Sequence, residues 1–336
     1  MFLRLLIFSL FLLFSCNSSI NESVLVRNVG EAQGTYYHIQ YLSPSGVDYQ
    51  CQIDSILAEV DSSVSLYVPY SIISSVNNQK KIKTDSIFNQ LYDLAYQVYI
   101  DTDSSFDCTV APLVDYWGFY RDVDSLDFDI DSNNVTDILE KVGMNKTVFL
   151  DTTVLLEEGV KLDFNALAQG FSVDIIAQYL DEKGLENYLI ELGGELKSKG
   201  FNADNKYWIV GVDKPVDTIS NINRFQFVLN LKDEALATSG NYRKFYIRDG
   251  VRYSHTINPR TGFPVQNRLL SVTVIANECS VADAYATAFM VMGVESSIEL
   301  INKSEYQLDV YMVYTDSKQE WKTYISSGMQ KRIINL

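Results

Sequence analysis

The order of strand-like and helix-like segments is the feature of this sequence that most limits its fold. Helical spacing of apolar residues predicts helices at 51–64, 88–100, 165–180 and 281–292. Alternating or β-rich segments, most of them bounded by turn residues, predict strands at 35–42, 188–191, 208–212, 224–231, 244–248, 270–275, 311–314 and 321–325. Because strands and helices do not alternate regularly, we expect an α+β fold with antiparallel sheets rather than a doubly wound parallel sheet.

The composition is that of one globular unit, with room for two lobes. No repeat, low-complexity tract or Pro/Gly/Ser-rich linker divides the 336 residues, and 47% hydrophobic with 21% charged residues is ordinary for a globular chain. The net charge of −16, with no Lys/Arg-rich run, makes nucleic acid an unexpected partner. The two histidines, His38 and His255, exclude a His-rich zinc site, so a metal would rely on oxygen ligands.

The N-terminus has the pattern of an export signal. Arg4 precedes an apolar run at 5–14, which is about half of the roughly 20 residues that a bilayer span needs. Leu13-Phe14-Ser15-Cys16 resembles a bacterial lipobox, and the alternative is an ordinary signal peptide with an incidental cysteine. We therefore expect a lipoprotein signal peptide at 1–15, a lipidated N-terminus and tether at 16–28, and the catalytic domain at 29–336. The protein would be exported and anchored through the lipid on Cys16, at the inner membrane facing the periplasm.

The other cysteines do not form a recognisable disulfide framework. Cys51, Cys108 and Cys279 are an odd number without close spacing, although a single bridge stays open. We expect the core to supply the stability.

Asp283 and Thr287 lie four residues apart on the helix predicted at 281–292, so a carboxylate and a hydroxyl share one face. Oxygen ligands at this spacing suit Mg²⁺, which also takes phosphate oxygens and water. The alternative is that Asp283 caps the helix and Thr287 packs.

Three further segments hold candidate site residues, each with a structural alternative. Asp163 precedes the helix predicted at 165–180, where it would cap the helix or face a ligand beside the helix amides. Gly193-Gly194 permits a tight turn or close approach of the backbone to a ligand. His255 lies in a polar loop, where it is available for proton transfer or makes structural hydrogen bonds.

In their order and spacing these segments resemble the ApbE family of FAD:protein FMN transferases, from about Gly34 to Gly293. The most specific parts are Thr238-Ser239-Gly240, Ser254-His255-Thr256-Ile257-Asn258-Pro259, Ala282-Asp283-Ala284 with Thr287, Gly193-Gly194, and the 163–174 block. The resemblance implies an ApbE-like (T-fold-like) α+β unit of two lobes, with antiparallel sheets and flanking helices. It also implies a Mg²⁺-dependent enzyme that moves FMN from FAD to a Thr or Ser hydroxyl of a protein, with release of AMP.

The resemblance assigns roles to particular residues. Asp283 and Thr287 would bind Mg²⁺ through side chains and Ala166 through its backbone carbonyl, while FAD would contact Tyr67, Thr109, Val110, Ala111, Asp163, Gln169 and Ile257. His255 or Asp283 would be the general base, and we favour His255. Gln169 stands where the family usually has a charged residue, and Asn165-Ala166 varies a block that usually contains glycine.

The expected acceptors are exported segments of membrane redox proteins carrying a Thr/Ser flavinylation motif, such as subunits of sodium-pumping NADH:quinone oxidoreductase. Two alternative functions stay open. One is a Mg²⁺-dependent FAD pyrophosphatase that releases FMN and AMP, and the other is a non-catalytic flavin-binding lipoprotein.

Overall fold

The computed structural model describes residues 23–120, 131–216, 224–241, 245–248, 251–303 and 306–335. Its helices are α1 (Gln50–Val64), α2 (Ile72–Asn77), α3 (Ser86–Asp101), α4 (Ala111–Tyr116), α5 (Ser132–Leu139), α6 (Ala168–Glu182), α7 (Cys279–Met292), α8 (Val294–Ile301) and α9 (Ser327–Arg332). Its strands are β1 (Val24–Ala32), β2 (Thr35–Ser43), β3 (Thr147–Leu150), β4 (Thr153–Leu156), β5 (Tyr188–Leu192), β6 (Glu195–Lys199), β7 (Trp208–Asp213), β8 (Phe225–Leu231), β9 (Ala235–Gly240), β10 (Phe245–Arg248), β11 (Val251–Ser254), β12 (Leu269–Ala276), β13 (Asp309–Thr315), β14 (Trp321–Ile325) and β15 (Ile333–Asn335).

An eight-stranded sheet organises the molecule. Its strand order is β1-β2-β5-β6-β9-β12-β13-β14, and every neighbouring pair is antiparallel. This arrangement confirms the predicted α+β class with antiparallel sheets. Alternation along β2 buries Tyr37, Ile39 and Tyr41 and exposes Tyr36 and His38, as a sheet with one covered face requires.

The two faces of this sheet are covered differently. On one face the helices bury two apolar clusters, of which the larger contains Phe88, Phe164 and Phe289. On the other face a three-stranded sheet of order β15-β8-β7 packs through Phe227 and Leu229 onto β9, β12 and β13. The outer face of β1 and β2 carries exposed side chains, so the small sheet covers only part of the large one.

Two boundaries differ from the sequence prediction in ways that bear on the site and the N-terminus. The helix predicted at 165–180 begins at Ala168. Leu167 has a non-helical φ of −153°, and the residues before it form a turn. β1 begins at Val24, so the end of the segment assigned to a tether belongs to the sheet. The predicted signal segment 1–15 and Cys16 lie outside the described residues, and no helix within the described ranges is long and apolar enough to cross a membrane.

α6 and α7 cross closely, and each helix receives a hydrogen-bond acceptor from the other. Asp174 on α6 accepts the N–H groups of Cys279 and Ser280, both at 2.9 Å, at the start of α7. Asp283 on α7 accepts the N–H of Gly170 at 3.2 Å. A Cβ at Gly170 would lie 2.6 Å from the Cys279 carbonyl oxygen, so this crossing requires glycine.

We expect Asp174→Ala to lower the free energy of unfolding by about 3 kcal/mol, because it removes the cap of α7 and leaves the half-buried Lys197, now 2.8 Å away, without its carboxylate. Glu299→Ala is the control, since Glu299 lies on the exposed surface of α8, where it pairs with Lys303 at 2.6 Å. It is expected to cost less than half as much. Urea unfolding of both variants measures the difference, and equal losses would contradict a capping role for Asp174.

Candidate active site

A single cavity of about 1340 Å³ opens where the N-terminus of α6, the middle of α7, the β5–β6 turn and the loop after β11 meet. The lining contains polar and apolar surface from both halves of the chain. Most of the residues singled out in the sequence line this one space.

Asp283, Thr287 and Ser239 place three oxygen-bearing side chains on one wall of the cavity. Asp283 and Thr287 lie one turn apart on α7, and the Thr287 hydroxyl is 3.2 Å from the Ser239 hydroxyl on β9. Within the described ranges there is no group of three or more His, Cys, Asp or Glu side chains suited to a metal ion. A cation here would therefore be held by one carboxylate together with hydroxyl, carbonyl and substrate oxygens, which is a ligand set typical of Mg²⁺.

The electrostatics of this wall favour a cation. Burial raises the pKa of Asp283 well above its usual range, and the nearby carboxylates of Glu195 and Asp174 raise it further, while the hydrogen bond from the Gly170 N–H lowers it. Asp283 and Glu195 are both buried. A divalent ion would offset the repulsion between these carboxylates, so the residues present fit a bound Mg²⁺.

Groups suited to an anion lie beside this wall, because Gly170 near the start of α6 donates its N–H to Asp283. Ala168 and Gln169 open α6 at the cavity, where a helix N-terminus carries partial positive charge. Gly193 and Gly194 form the β5–β6 turn with φ of 68° and 117°, and a Cβ at Gly194 would meet no atom within 4 Å. The turn therefore presents bare backbone to the cavity, which confirms the tight turn, while the approach of a ligand to this backbone stays a prediction.

Asp163 lies deep in the cavity, in the turn before α6. Its carboxylate accepts the N–H of Asn165 at 2.7 Å and the hydroxyl of Tyr120. Burial raises the pKa of Asp163, and these hydrogen bonds act in the opposite direction. The capping alternative is wrong in its simple form, because α6 starts three residues after Asn165 and its N-cap residue, Leu167, makes no side-chain capping bond.

His255 follows β11 on a loop that a buried tryptophan positions. Trp117 donates from Nε1 to the Gly262 carbonyl at 2.8 Å and stacks on Tyr253. The His255 ring lies edge-on to Phe119, with 6.5 Å between ring centroids, and lines the cavity. A general base in this position is at the cavity wall rather than in the core.

The structure brings together most of the predicted site residues but not all. Those that line the cavity are Tyr67, Val110, Asp163, Ala166, Gln169, His255, Ile257, Asp283 and Thr287. Thr109 and Ala111 do not line it. The Thr109 hydroxyl bonds to Asp107 and to the Gly143 N–H in a buried network, and Ala111 is buried at the start of α4, so neither side chain faces a ligand here.

The sequence analysis did not single out two residues that interact with the site carboxylates, namely Tyr120 beside Asp163 and Glu195 near Asp283. Tyr120 was not singled out because one more tyrosine among 22 carries no signal of its own. Glu195 was passed over because it follows the Gly193-Gly194 turn, although an acidic residue at a buried strand position was the available clue.

The sequence was compared with protein families and with curated proteins. The sequence matches the ApbE family over residues 33–312. The chain belongs to the ApbE family. It is 34% identical over 335 residues to the FAD:protein FMN transferase of Vibrio cholerae, with 96% of each chain covered, and 29% identical to that of Escherichia coli K12, with 91% and 88% covered. The family resemblance of the sequence is thereby confirmed, and the protein is an enzyme of the transferase class.

Solved structures give the same result for the fold. The flavin transferase ApbE from Vibrio cholerae superposes with a TM-score of 0.83 at 31% identity, covering 92% of this chain and 99% of that one. The apo flavinyl transferase ApbE of Pseudomonas stutzeri superposes with a TM-score of 0.82 at 26% identity, covering 93% and 97%. The ApbE-like fold is confirmed.

Without divalent cations, Asp283→Asn is expected to stabilise the protein, by on the order of 1 kcal/mol at pH 8. Folding raises the pKa of Asp283. Above the pKa that this carboxyl has in the unfolded chain, the free energy of unfolding therefore falls as the pH rises, because only the unfolded chain ionises the group freely. The asparagine oxygen still accepts the Gly170 N–H. Urea unfolding in EDTA at pH 5 and pH 8 measures the gain, which should be larger at pH 8.

Asp316→Asn is the control of opposite sign, because the Glu320 N–H lowers the pKa of this exposed carboxylate. It should lower stability above the unfolded pKa. If Asp283→Asn lowered the free energy of unfolding at both pH values, the result would contradict the conclusion that a charged Asp283 destabilises the metal-free protein.

Proposed function

We propose that the protein is a Mg²⁺-dependent FAD:protein FMN transferase that attaches FMN to a Thr or Ser hydroxyl of an exported acceptor and releases AMP. The observation that carries this proposal is the convergence of Asp283, Thr287 and the α6 N-terminus on one cavity. That cavity combines oxygen ligands for a cation with amides for a diphosphate. Membership of the ApbE family and the names of its relatives support the flavin and the protein acceptor.

Asp283 and Thr287 would hold the Mg²⁺ through their side chains, with the Ala166 carbonyl as a third ligand. When bound, the ion would neutralise charge on the FAD diphosphate and hold it in line for attack. The α6 amides and the Gly193-Gly194 turn would bind other phosphate oxygens. Tyr67, Asp163, Gln169 and Ile257 would line the remainder of the FAD site.

The transfer step moves one phosphoryl group between two oxygen nucleophiles. The acceptor hydroxyl oxygen forms a bond to the FMN phosphorus, and the bond from that phosphorus to the AMP oxygen breaks. His255 would take the hydroxyl proton, since Asp283 is engaged by Gly170 and assigned to the ion. AMP leaves with its electron pair on phosphate oxygen.

The deciding assay incubates a form of the chain that begins after Cys16 with FAD, Mg²⁺ and a flavinylation domain of a sodium-pumping NADH:quinone oxidoreductase. Mass spectrometry of the acceptor and detection of AMP are the readouts. We expect a gain of one FMN with release of AMP, and no gain in EDTA. Free FMN and AMP with an unmodified acceptor would instead indicate a pyrophosphatase, and FAD binding without products would indicate a flavin-binding protein.

Asp283→Ala and Thr287→Val are expected to lower transfer by about 10²-fold or more, because each removes a ligand of the ion. His255→Ala is expected to lower it by about 10² to 10⁴-fold with FAD affinity retained, as for loss of a general base. Thr323→Val on the exposed β14 is the matched control for Thr287→Val and should keep full activity. Full transfer by Thr287→Val would contradict the assigned metal site.

For localisation, we propose that the chain is exported and anchored to the membrane through lipid on Cys16, facing the periplasm. The support is the lipobox-like sequence that ends at Cys16. A lipid anchor would hold the enzyme beside membrane-bound acceptors and raise the frequency of encounter.

Cys16→Ser is expected to abolish incorporation of labelled palmitate and to shift the protein out of the membrane fraction of the cells that express it. Cys51→Ser is the matched control, because Cys51 is an exposed free cysteine on α1. That variant should remain lipidated. Retention of label by Cys16→Ser would contradict the lipoprotein assignment.

A further inference from the structure

β7 forms one edge of the three-stranded sheet. It pairs with β8 only, and β8 separates it from β15. Among the residues that the structure describes, no strand is paired with the other side of β7. An edge strand of this kind presents N–H and C=O groups that a further strand can bind.

This edge faces the cavity that contains the candidate active site. Side chains alternate between the two faces of a strand, so a cavity along one face would be lined by every second residue. All of the residues 209–213 line the cavity instead. The cavity therefore runs along the backbone edge of β7 and continues without interruption to Asp283 and His255.

Over most of its length β7 lacks the usual protection of an edge strand, since its one charged residue, Asp213, is the last of the strand and is paired with Arg224. Proteins commonly guard an edge strand with lysine, proline or an inward-pointing charge. The two edges of the large sheet follow this rule, with Arg27 on β1 and Lys322 on β14. The residues from Trp208 to Val212 contain no charge and no proline, and Ile209 is 58% exposed.

An apolar shelf lies beside the edge. A Cβ at Gly211 would lie 2.5 Å from the ring of Phe225, so the ring sits directly against the strand backbone. Arg224, next to this ring, makes two hydrogen bonds to Asp213, at 2.7 and 3.1 Å. Ile209 and Phe225 thus offer apolar contacts to side chains of a strand that pairs with β7.

We propose that an extended segment of the acceptor protein adds as a further strand to the edge of β7 that no described strand occupies, and that this pairing brings its hydroxyl residue to the candidate active site. The inference rests on the proposed transferase function, which requires a protein chain to enter the cavity. Strand addition would supply affinity through main-chain hydrogen bonds and specificity through the shelf. The volume of about 1340 Å³ exceeds the roughly 300–1000 Å³ of ordinary small-molecule sites, which leaves room beside a dinucleotide.

The test compares Ile209→Lys with Ile334→Lys. Both isoleucines are exposed, at 58% and 48%, and they lie on the two opposite edge strands of the same small sheet. With the acceptor domain of the transfer assay, Ile209→Lys should raise KM for the acceptor by about tenfold, the effect of losing one interface contact of moderate strength. Its FAD affinity should be unchanged, and Ile334→Lys should behave as wild type.

Hydrogen exchange gives a second readout that does not depend on a variant. In the presence of FAD and an acceptor whose target hydroxyl residue is replaced by alanine, the backbone amides of 208–213 should exchange more slowly than in its absence. Protection of these amides without acceptor, increasing with protein concentration, would mean that a second copy of this chain occupies the edge and would overturn the proposal.

The possible failures are distinguishable. Equal KM values for wild type and Ile209→Lys, with no protection of 208–213, would overturn strand addition while leaving the transferase function intact. A wild-type protein that modifies no acceptor would contradict the transferase function itself, and the docking proposal with it.

Discussion

The exchange of hydrogen bonds between α6 and α7 is the interaction on which both the core and the candidate site depend. The first N–H groups of any helix lack intrahelical partners, and here each helix supplies a carboxylate to the other. Asp174 serves the start of α7, and Asp283 serves the first turn of α6. Because Gly170 permits the close crossing, the carboxylate that we assign to the metal is held by the same contact that fixes the helix pair.

This arrangement concentrates negative charge where a negatively charged substrate is proposed to bind. Asp283 and Glu195 are buried near one another, and no lysine lines the cavity in the described part of the chain. Arg224 lines the cavity but is paired with Asp213, so a diphosphate would depend chiefly on helix amides and on a divalent ion. We expect the protein without a divalent ion to be less stable for this reason, as is common where a site needs groups that folding alone would not favour.

Periodicity predicted the elements whose buried faces are apolar. β2, α1 and α3 lie close to their predicted bounds, because each packs one apolar face on the core, and α7 does so because it is apolar and buried nearly all round. β6 was missed, since its short sequence contains two lysines and a glutamate that look like a loop. Contacts with other elements stabilise these charged residues in a strand, because Lys197 pairs with Asp174 and Glu195 lies near Asp283.

The candidate site was predicted from family resemblance rather than from the spacing of single residues. Asp283 and Thr287 were the exception, because helical spacing alone placed both on one face. Thr109 shows the limit of such a transfer, since its neighbour Val110 lines the cavity while its own hydroxyl points into a buried network with Asp107. Whether a residue in this segment lines the cavity or joins the buried network depends on the direction of its side chain. A sequence motif does not specify that direction.

The unequal cover of the large sheet explains why the cavity opens toward β7. Helices pack on one face, whereas on the other face the small sheet has three strands and packs on β9, β12 and β13. Its edge strand β7 lines the cavity together with His38 on β2 and Glu191 on β5, whose side chains are 2.7 Å apart. A fourth strand would close this space. The proposed transfer to a protein acceptor needs such an opening, because the target hydroxyl would have to reach the diphosphate while the rest of the acceptor stays outside.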